Sequence, residues 1–269
     1  MAAIDVVMPV RDGADTLPAA IASILWQTEA DLRLLIVDDD SGPATREVMA
    51  RYAAQDARVR IMPTRGSGIV DALNTGLDAA DAPYVARMDG DDIALPGRLA
   101  AQRALMDARP DVVLCGSPVI RFGGENGLAR VPDTAADCAR ALDVFNCFYH
   151  PSVMIRRAAL AEHGLRYDRR YELAEDYKLF CDLAEIGAVV NLAEPQLLYR
   201  VHPGQLSHAR KAAQDRAALR VVAMRAGVSP ERGDLPALVA MLSGARRLGR
   251  RHARRSFNAL RNAAAAVLR

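Results

Sequence analysis

The stretch "IDVVMPVRDGADTLPAAIASILWQTEADLRLLIVDD", residues 4–39, decides the fold class. "IDVVMPV" is a mostly apolar run that reads as a buried strand. "TLPAAIASILWQ" then switches to helical spacing, with Thr16 as its cap and Pro18 in the first turn. "LRLLIVDD" is a second buried strand. The same alternation continues through "ATREVMARYAAQ", "RVRIMP", "GIVDALNTGLDAA", "PYVARMD", "PGRLAAQRALMDA" and "DVVLCGS". Strands joined by helices imply a mainly parallel sheet with helices on both faces. From about Arg130 the rhythm fades into loops and short helices, and after His208 the pattern is helical.

The remaining composition bounds the class. The chain has 269 residues, 51% hydrophobic and 25% charged, with a formal charge of +2, ample for a sizeable core. No apolar run approaches the roughly 20 residues that span a bilayer. The opening "MAAIDVVMPV" lacks the basic segment of a secretory signal. Cys115, Cys138, Cys147 and Cys181 form no metal-type spacing and read as small core residues of a reduced, cytoplasmic protein. Aromatic residues at 5% argue against base stacking on nucleic acid.

In open parallel sheets ligands bind at the carboxyl ends of the strands. Three clusters fall there: "PVRDG" after the first strand, "VDDDSG" after the second and "MDGDD" after the fourth. In the last, Asp89 and Asp91 flank Gly90, whose freedom allows an unusual backbone angle, and both carboxylates suit a hard cation such as Mg²⁺ or Mn²⁺. Plain turn chemistry, or a charge effect at the following helix, is the competing explanation for Asp91 and Asp92. Glu175 and Asp176 precede a helix whose apolar face is Tyr177, Phe180, Leu183 and Ala184, and one of the pair is expected to face the site. His150 and His202 are each followed by proline, which puts them in extended or turn backbone. Arg156 and Arg157 follow a strand run and are candidates for phosphate contact or for solvating a helix start. Gly66–Ser67–Gly68 is no dinucleotide fingerprint, and no P-loop, GxSxG or HExxH motif is present.

Taken in order over roughly the first 205 residues, "VVMPVRDGADTLPAAIASILWQT", "LLIVDDDS", "GIVDALNTGLDAADAPYVARMDGDD", "HPSVMIRRAAL", "AEDYKLFCDLAEIG" and "LLYRVHPGQLS" resemble the family 2 glycosyltransferases of GT-A fold. The resemblance implies a catalytic domain over residues 1–210 and a helical extension over 211–269. It implies that Pro9 and the backbone at Val10 line a nucleotide base, with Asp39 on its polar edge. Asp89 would lie near ribose and diphosphate. Asp91 would hold Mn²⁺ or Mg²⁺, with His202 as a further metal ligand. Asp176 matches the general base of an inverting displacement, and Glu175, His150 and Arg156 are candidate acceptor or phosphate contacts. The donor implied is a nucleotide sugar, best guessed as UDP-linked, and the acceptor a saccharide or lipid-linked hydroxyl in cell-surface glycan assembly. Two departures stand out: Arg11–Asp12 where the family often has Tyr-Asn, and Asp40 where it has glycine.

Two other functions compete. A sugar nucleotidyltransferase usually carries a glycine-rich basic loop after its first strand, which "PVRDGADTL" does not match. A degenerate nucleotide-sugar-binding scaffold would bind nucleotide without turnover. "FGGENG" is a candidate mobile loop. From Gly244 onward the chain has eight arginines and no acidic residue, with Leu248, Phe257, Leu260, Ala264 and Val267 close to one helical stripe. Such a helix suits an anionic membrane surface, which would make the protein peripheral, or packing on the catalytic domain or a second subunit. Nucleic acid is disfavoured because the basic charge is remote from the predicted site.

Overall fold

The computed structural model describes residues 2–202 and 211–227. The chain runs β1 (Ile4–Val10), α1 (Leu17–Leu25), β2 (Leu32–Asp38), α2 (Pro43–Gln55), β3 (Val59–Pro63), α3 (Ile69–Ala79), β4 (Tyr84–Arg87), β5 (Ile93–Ala94), α4 (Arg98–Ala108) and β6 (Val112–Gly116). It continues through β7 (Val119–Gly123), β8 (Gly127–Ala129), α5 (Ala135–Leu142), β9 (Met154–Arg156), α6 (Arg157–Glu162), α7 (Glu175–Ile186), β10 (Ala188–Asn191), β11 (Leu197–Val201) and α8 (Lys211–Arg225). Short 3₁₀ turns lie at His150–Ser152 and Arg169–Tyr171.

The central sheet has the order β10-β6-β9-β4-β1-β2-β3 and is parallel except at β9, which runs antiparallel to both neighbours. β1 therefore lies between β2 and β4, and the strand order reverses there, the crevice where α/β sheets bind ligands. Pro9, which has no N–H to donate, sits where the ladder to β4 has already ended at Val7. The sheet parts at that point and opens the crevice. One face is covered by α1, α2 and α4 over Ile21, Ile24, Met49 and Leu99, and the other by α3, α5, α6, α7 and α8. Packing on that second face is close: a Cβ on Gly76 of α3 would meet Val7 Cγ1 at 2.3 Å.

The structure adds to and corrects the sequence reading. A second, four-stranded sheet, β5-β11-β7-β8, flanks the carboxyl mouth, and periodicity did not announce it. Its strands are two to five residues long, too short for a two-residue alternation to register. "FGGENG" is the turn of the β7–β8 hairpin, tied down by Gly124 N–H donating to Val201 O at 2.8 Å. Thr16 does not cap α1 with its side chain; its hydroxyl donates to Gly90 O at 3.1 Å and so fastens α1 to the acidic loop. α8 packs Leu219, Val221 and Val222 into the core beside α7. His208 and the basic tail after Gly244 lie outside the described residues. Among the described residues no helix is long and apolar enough to cross a membrane.

Candidate active site

Two loops meet at the carboxyl ends of β1 and β2. Asp12 and Asp40 both hold left-handed backbone, at φ 61°. Aspartate tolerates that region better than most residues with a Cβ, so Asp40 keeps the backbone that a glycine would supply there. Asp12 N donates to Ser41 Oγ at 3.0 Å, and Asp12 Oδ1 accepts from Gly42 N at 2.9 Å. The loops are thus stitched together. Asp39 is buried, and both of its oxygens accept from Gly68 N, at 3.0 and 3.1 Å, ahead of α3. Arg11 lies 3.7 Å from Asp39. The Val10 carbonyl accepts from Asp39 N at 2.8 Å.

The acidic loop follows β4. Ligand atoms of Asp89, Asp91 and Asp92 all lie within 4.8 Å of one another. Gly90 has no left-handed backbone, contrary to the sequence expectation, and a Cβ there would make only ordinary contacts with Leu17 and Val10, at 3.5 and 3.6 Å. Asp92 belongs to no helix cap: Oδ1 accepts from Arg200 N of β11 at 2.7 Å, while Oδ2 is buried and unpartnered among the described residues. His202 Nε2 is 3.2 Å from Asp91 Oδ2, and Arg200 Nε donates to the Asp91 carbonyl at 2.8 Å. Burial and the charge of Asp89 push Asp91 above the usual carboxylate range; burial with both neighbours pushes Asp92 up to about 9. Three hard oxygen donors, one with an orphaned buried atom, fit a divalent cation better than they fit one another.

Beneath this loop Arg87, the last residue of β4, is 6% exposed and ion-paired with Asp89. Its guanidinium also favours the charged forms of Asp91, Asp92, Glu175 and Asp176. One buried cation thus faces two acidic groups from different parts of the chain. Arg98, fully buried on α4, donates to Arg87 O at 2.7 Å and holds the strand end in place.

The second acidic group opens α7. Because β10 runs parallel to β6 directly after α7, the helix must begin at the carboxyl mouth and run back. Leu173, at φ 73°, makes the tight turn into it. Asp176 Oδ2 accepts from Asn146 Nδ2 at 2.9 Å and Oδ1 from Tyr177 N at 2.7 Å. Glu175 is buried, and its Oε2 has no partner among the described residues. Burial raises Asp176, while burial and the adjoining Asp176 charge raise Glu175 to about 7. The two carboxyls are driven apart in role: Glu175 keeps its proton more readily, and Asp176, served by two donors, carries the charge.

A pH effect on stability follows. A carboxyl raised on folding contributes fully below its unfolded value, 4.5 for Glu175, and loses that contribution as pH rises through about 7. Glu175→Gln is therefore expected to be more stable than wild type above pH 7, by up to about 3 kcal/mol. The gap should close toward pH 5 in urea unfolding; a gap independent of pH would contradict the assignment.

The other candidates divide. His150 Nε2 is 2.9 Å from Tyr167 OH, and burial with the Arg87 charge lowers its basicity well below the usual histidine range. Arg156 is corrected: it ends β9 at the opposite edge of the sheet and donates to the carbonyls of Val112 and Met106, at 3.1 and 2.8 Å. β9 runs antiparallel, so its carboxyl end points away from the site. Arg157 likewise donates to Ala82 O at 2.9 Å. Arg87, Asn146, Tyr167 and Arg200 were not singled out from sequence; only Arg87, a charge inside the apolar run "YVARMD", left a signal there.

Over residues 5–164 the chain matches the family described as Glycosyl transferase family 2. The amylovoran biosynthesis glycosyltransferase AmsE of Erwinia amylovora is 32% identical over 198 residues, covering 72% of this chain and 73% of that protein. Several other curated relatives are longer, and the chain spans about three-fifths of their length. Among solved structures, S. aureus TarS 1–349 in complex with UDP superposes with a TM-score of 0.64 at 16% identity, over 83% of this chain and 66% of that one. The mannosyltransferase PcManGT from Pyrobaculum calidifontis, in complex with GDP-Man and Mn²⁺, gives 0.63 at 18% identity, over 99% and 81%. Sheet order, acidic mouth and likeness agree on a GT-A fold. This chain belongs to glycosyltransferase family 2.

Proposed function

We propose that the protein transfers a sugar, with inversion, from a nucleoside-diphosphate donor to a hydroxyl of a saccharide or lipid-linked acceptor, in the assembly of a cell-surface polysaccharide. The observation that carries this reading is the pairing of two acidic groups across one mouth. A cation-type cluster ends β4, a carboxylate begins α7, and Arg87 lies between them in charge. UDP is the favoured nucleotide, since TarS was solved with UDP; the polysaccharide assignment leans on the name of AmsE.

In this mechanism Asp91, with Asp89 and His202 beside it, would hold Mn²⁺ or Mg²⁺, and Pro9, Val10 and Asp39 would line the base. Held there, the cation would supply positive charge to offset the negative charge that develops on the leaving diphosphate. Asp176 accepts the proton of the attacking hydroxyl as the new glycosidic bond forms and the bond to diphosphate breaks. Arg87 favours the ionised form of Asp176 against the burial that opposes it.

The test is calorimetric titration of UDP and GDP, with and without Mn²⁺, on wild type and Asp91→Ala. Mn²⁺-dependent binding of one nucleotide, weakened at least about tenfold in the variant, is expected, since a lost charge-assisted ligand costs 1.4 kcal/mol or more. Binding indifferent to both Mn²⁺ and Asp91 would overturn the metal assignment. Binding without sugar turnover would favour a scaffold.

A further inference from the structure

We propose that Asn146, in the loop after α5, is a positioning residue for Asp176, fixing the direction of its carboxylate and holding it in the proton-accepting form. The inference rests on the reading of Asp176 as the base.

The amide of Asn146 is constrained at both ends. Its Oδ1 accepts from Phe148 N at 3.1 Å, which turns Nδ2 toward Asp176 Oδ2 at 2.9 Å. A flipped amide would set two donors against each other at Phe148, so the network assigns the orientation. The loop that carries Asn146 is pinned to the helix that carries Asp176. Phe148 packs edge-on against Phe180 of α7 with ring centroids 5.5 Å apart, Cys147 is buried beside them, and Tyr177 OH donates to Leu142 O at 2.8 Å. Donor and acceptor therefore ride on one packed unit. With Tyr177 N on Oδ1, each carboxylate oxygen has one donor, and the plane of the group is set.

The charge balance explains why an amide serves here. Among the described residues, the charged or titratable groups that face Asp176 are Arg87 from the end of β4, Tyr167 from the loop after α6, and Glu175 beside it on α7. Arg87 favours the ionised form and burial opposes it, while the Asp176 charge in turn raises Glu175. A neutral donor orients the carboxylate and favours its charge without adding a second cation, which would depress its basicity further. Removing a hydrogen bond to the charged form raises the pKa, so the base would be protonated over a wider acid range.

The experiment compares wild type, Asn146→Ala and Asn146→Ser, whose hydroxyl is too short to reach Asp176. Two readouts are taken. One is a pH titration of the Asp176 carboxyl in ¹³C-aspartate-labelled protein, assigned with Asp176→Asn. The other is the pH profile of Mn²⁺-dependent nucleotide release from UDP-glucose, UDP-N-acetylglucosamine and GDP-mannose, with water as acceptor. In both variants the carboxyl midpoint and the acid limb of the rate profile are expected to rise together by about one pH unit. Thermal unfolding should remain cooperative. An unmoved carboxyl midpoint in either folded variant would overturn the positioning contact. A midpoint that rises while the acid limb stays in place would overturn its part in the reaction. Full turnover by Asp176→Asn would instead overturn the base reading, a failure separate from that of the contact itself.

Discussion

Asp176→Asn is expected to lower sugar transfer by about 10²- to 10⁴-fold, the range that general-base catalysis supplies, while Mn²⁺-dependent nucleotide binding persists. The substitution keeps the shape and volume of the side chain and removes only its capacity to take a proton. One contact is compromised: an amide can accept from Tyr177 N or from Asn146 Nδ2, but its own NH₂ then meets the other donor. A modest loss of stability, on the order of 1 kcal/mol, should accompany the loss of activity. Nucleotide release and calorimetry on the same preparation separate the two effects. Wild-type rate should fall as pH drops through a midpoint above the ordinary carboxylate range, because burial raises Asp176 and only its ionised form accepts a proton. Transfer within threefold of wild type would remove Asp176 from the reaction.

Arg87→Met is expected to cost about 3–5 kcal/mol of stability at pH 7.5, as removing one partner of a buried ion pair does. Methionine fills similar volume, so the loss reports charge more than packing. Asp89 loses its counter-ion, and Asp91, Asp92, Glu175 and Asp176 all lose a favourable field. Asp91, Asp92, Glu175 and Asp176 should then titrate higher, and the deficit should shrink as pH falls and they take up protons. Mn²⁺ should recover part of it by neutralising the same loop. Chemical denaturation at pH 7.5 and pH 5.5, with and without Mn²⁺, provides the check. A variant within 1 kcal/mol of wild type at pH 7.5 would mean that the acids need no shared cation.

The parallel core was legible because β1, β2 and β4 are covered on both faces and are mostly apolar, with Asp5, Arg33, Asp38 and Arg87 as the charged exceptions within them. The acidic clusters were legible because strand ends fix where loops gather. The short strands of the flanking sheet were not, since pairs such as Ile93–Leu198 depend on partners about a hundred residues away. The misassignment of Arg156 has the same origin: its residue type suits a phosphate, but the antiparallel direction of β9 carries it to the far edge, and direction is a tertiary property. Asn146 gave no signal because its significance lies in Phe148 N and Asp176, one local and one 30 residues distant. Arg87 was visible as an anomaly inside a strand but could be interpreted only once both acidic groups were seen around it.

The bond from Arg200 N to Asp92 Oδ1 spans 108 residues of chain. On a ribosome adding about 5–20 residues per second, the acidic loop waits roughly 5–20 s before β11 emerges to hold it. Through that interval Asp92 lacks its backbone donor and Asp91 lacks His202. A cation site that depends on these contacts would therefore be completed only once β11 has been made, and a metal bound there would join sheet strands already in place.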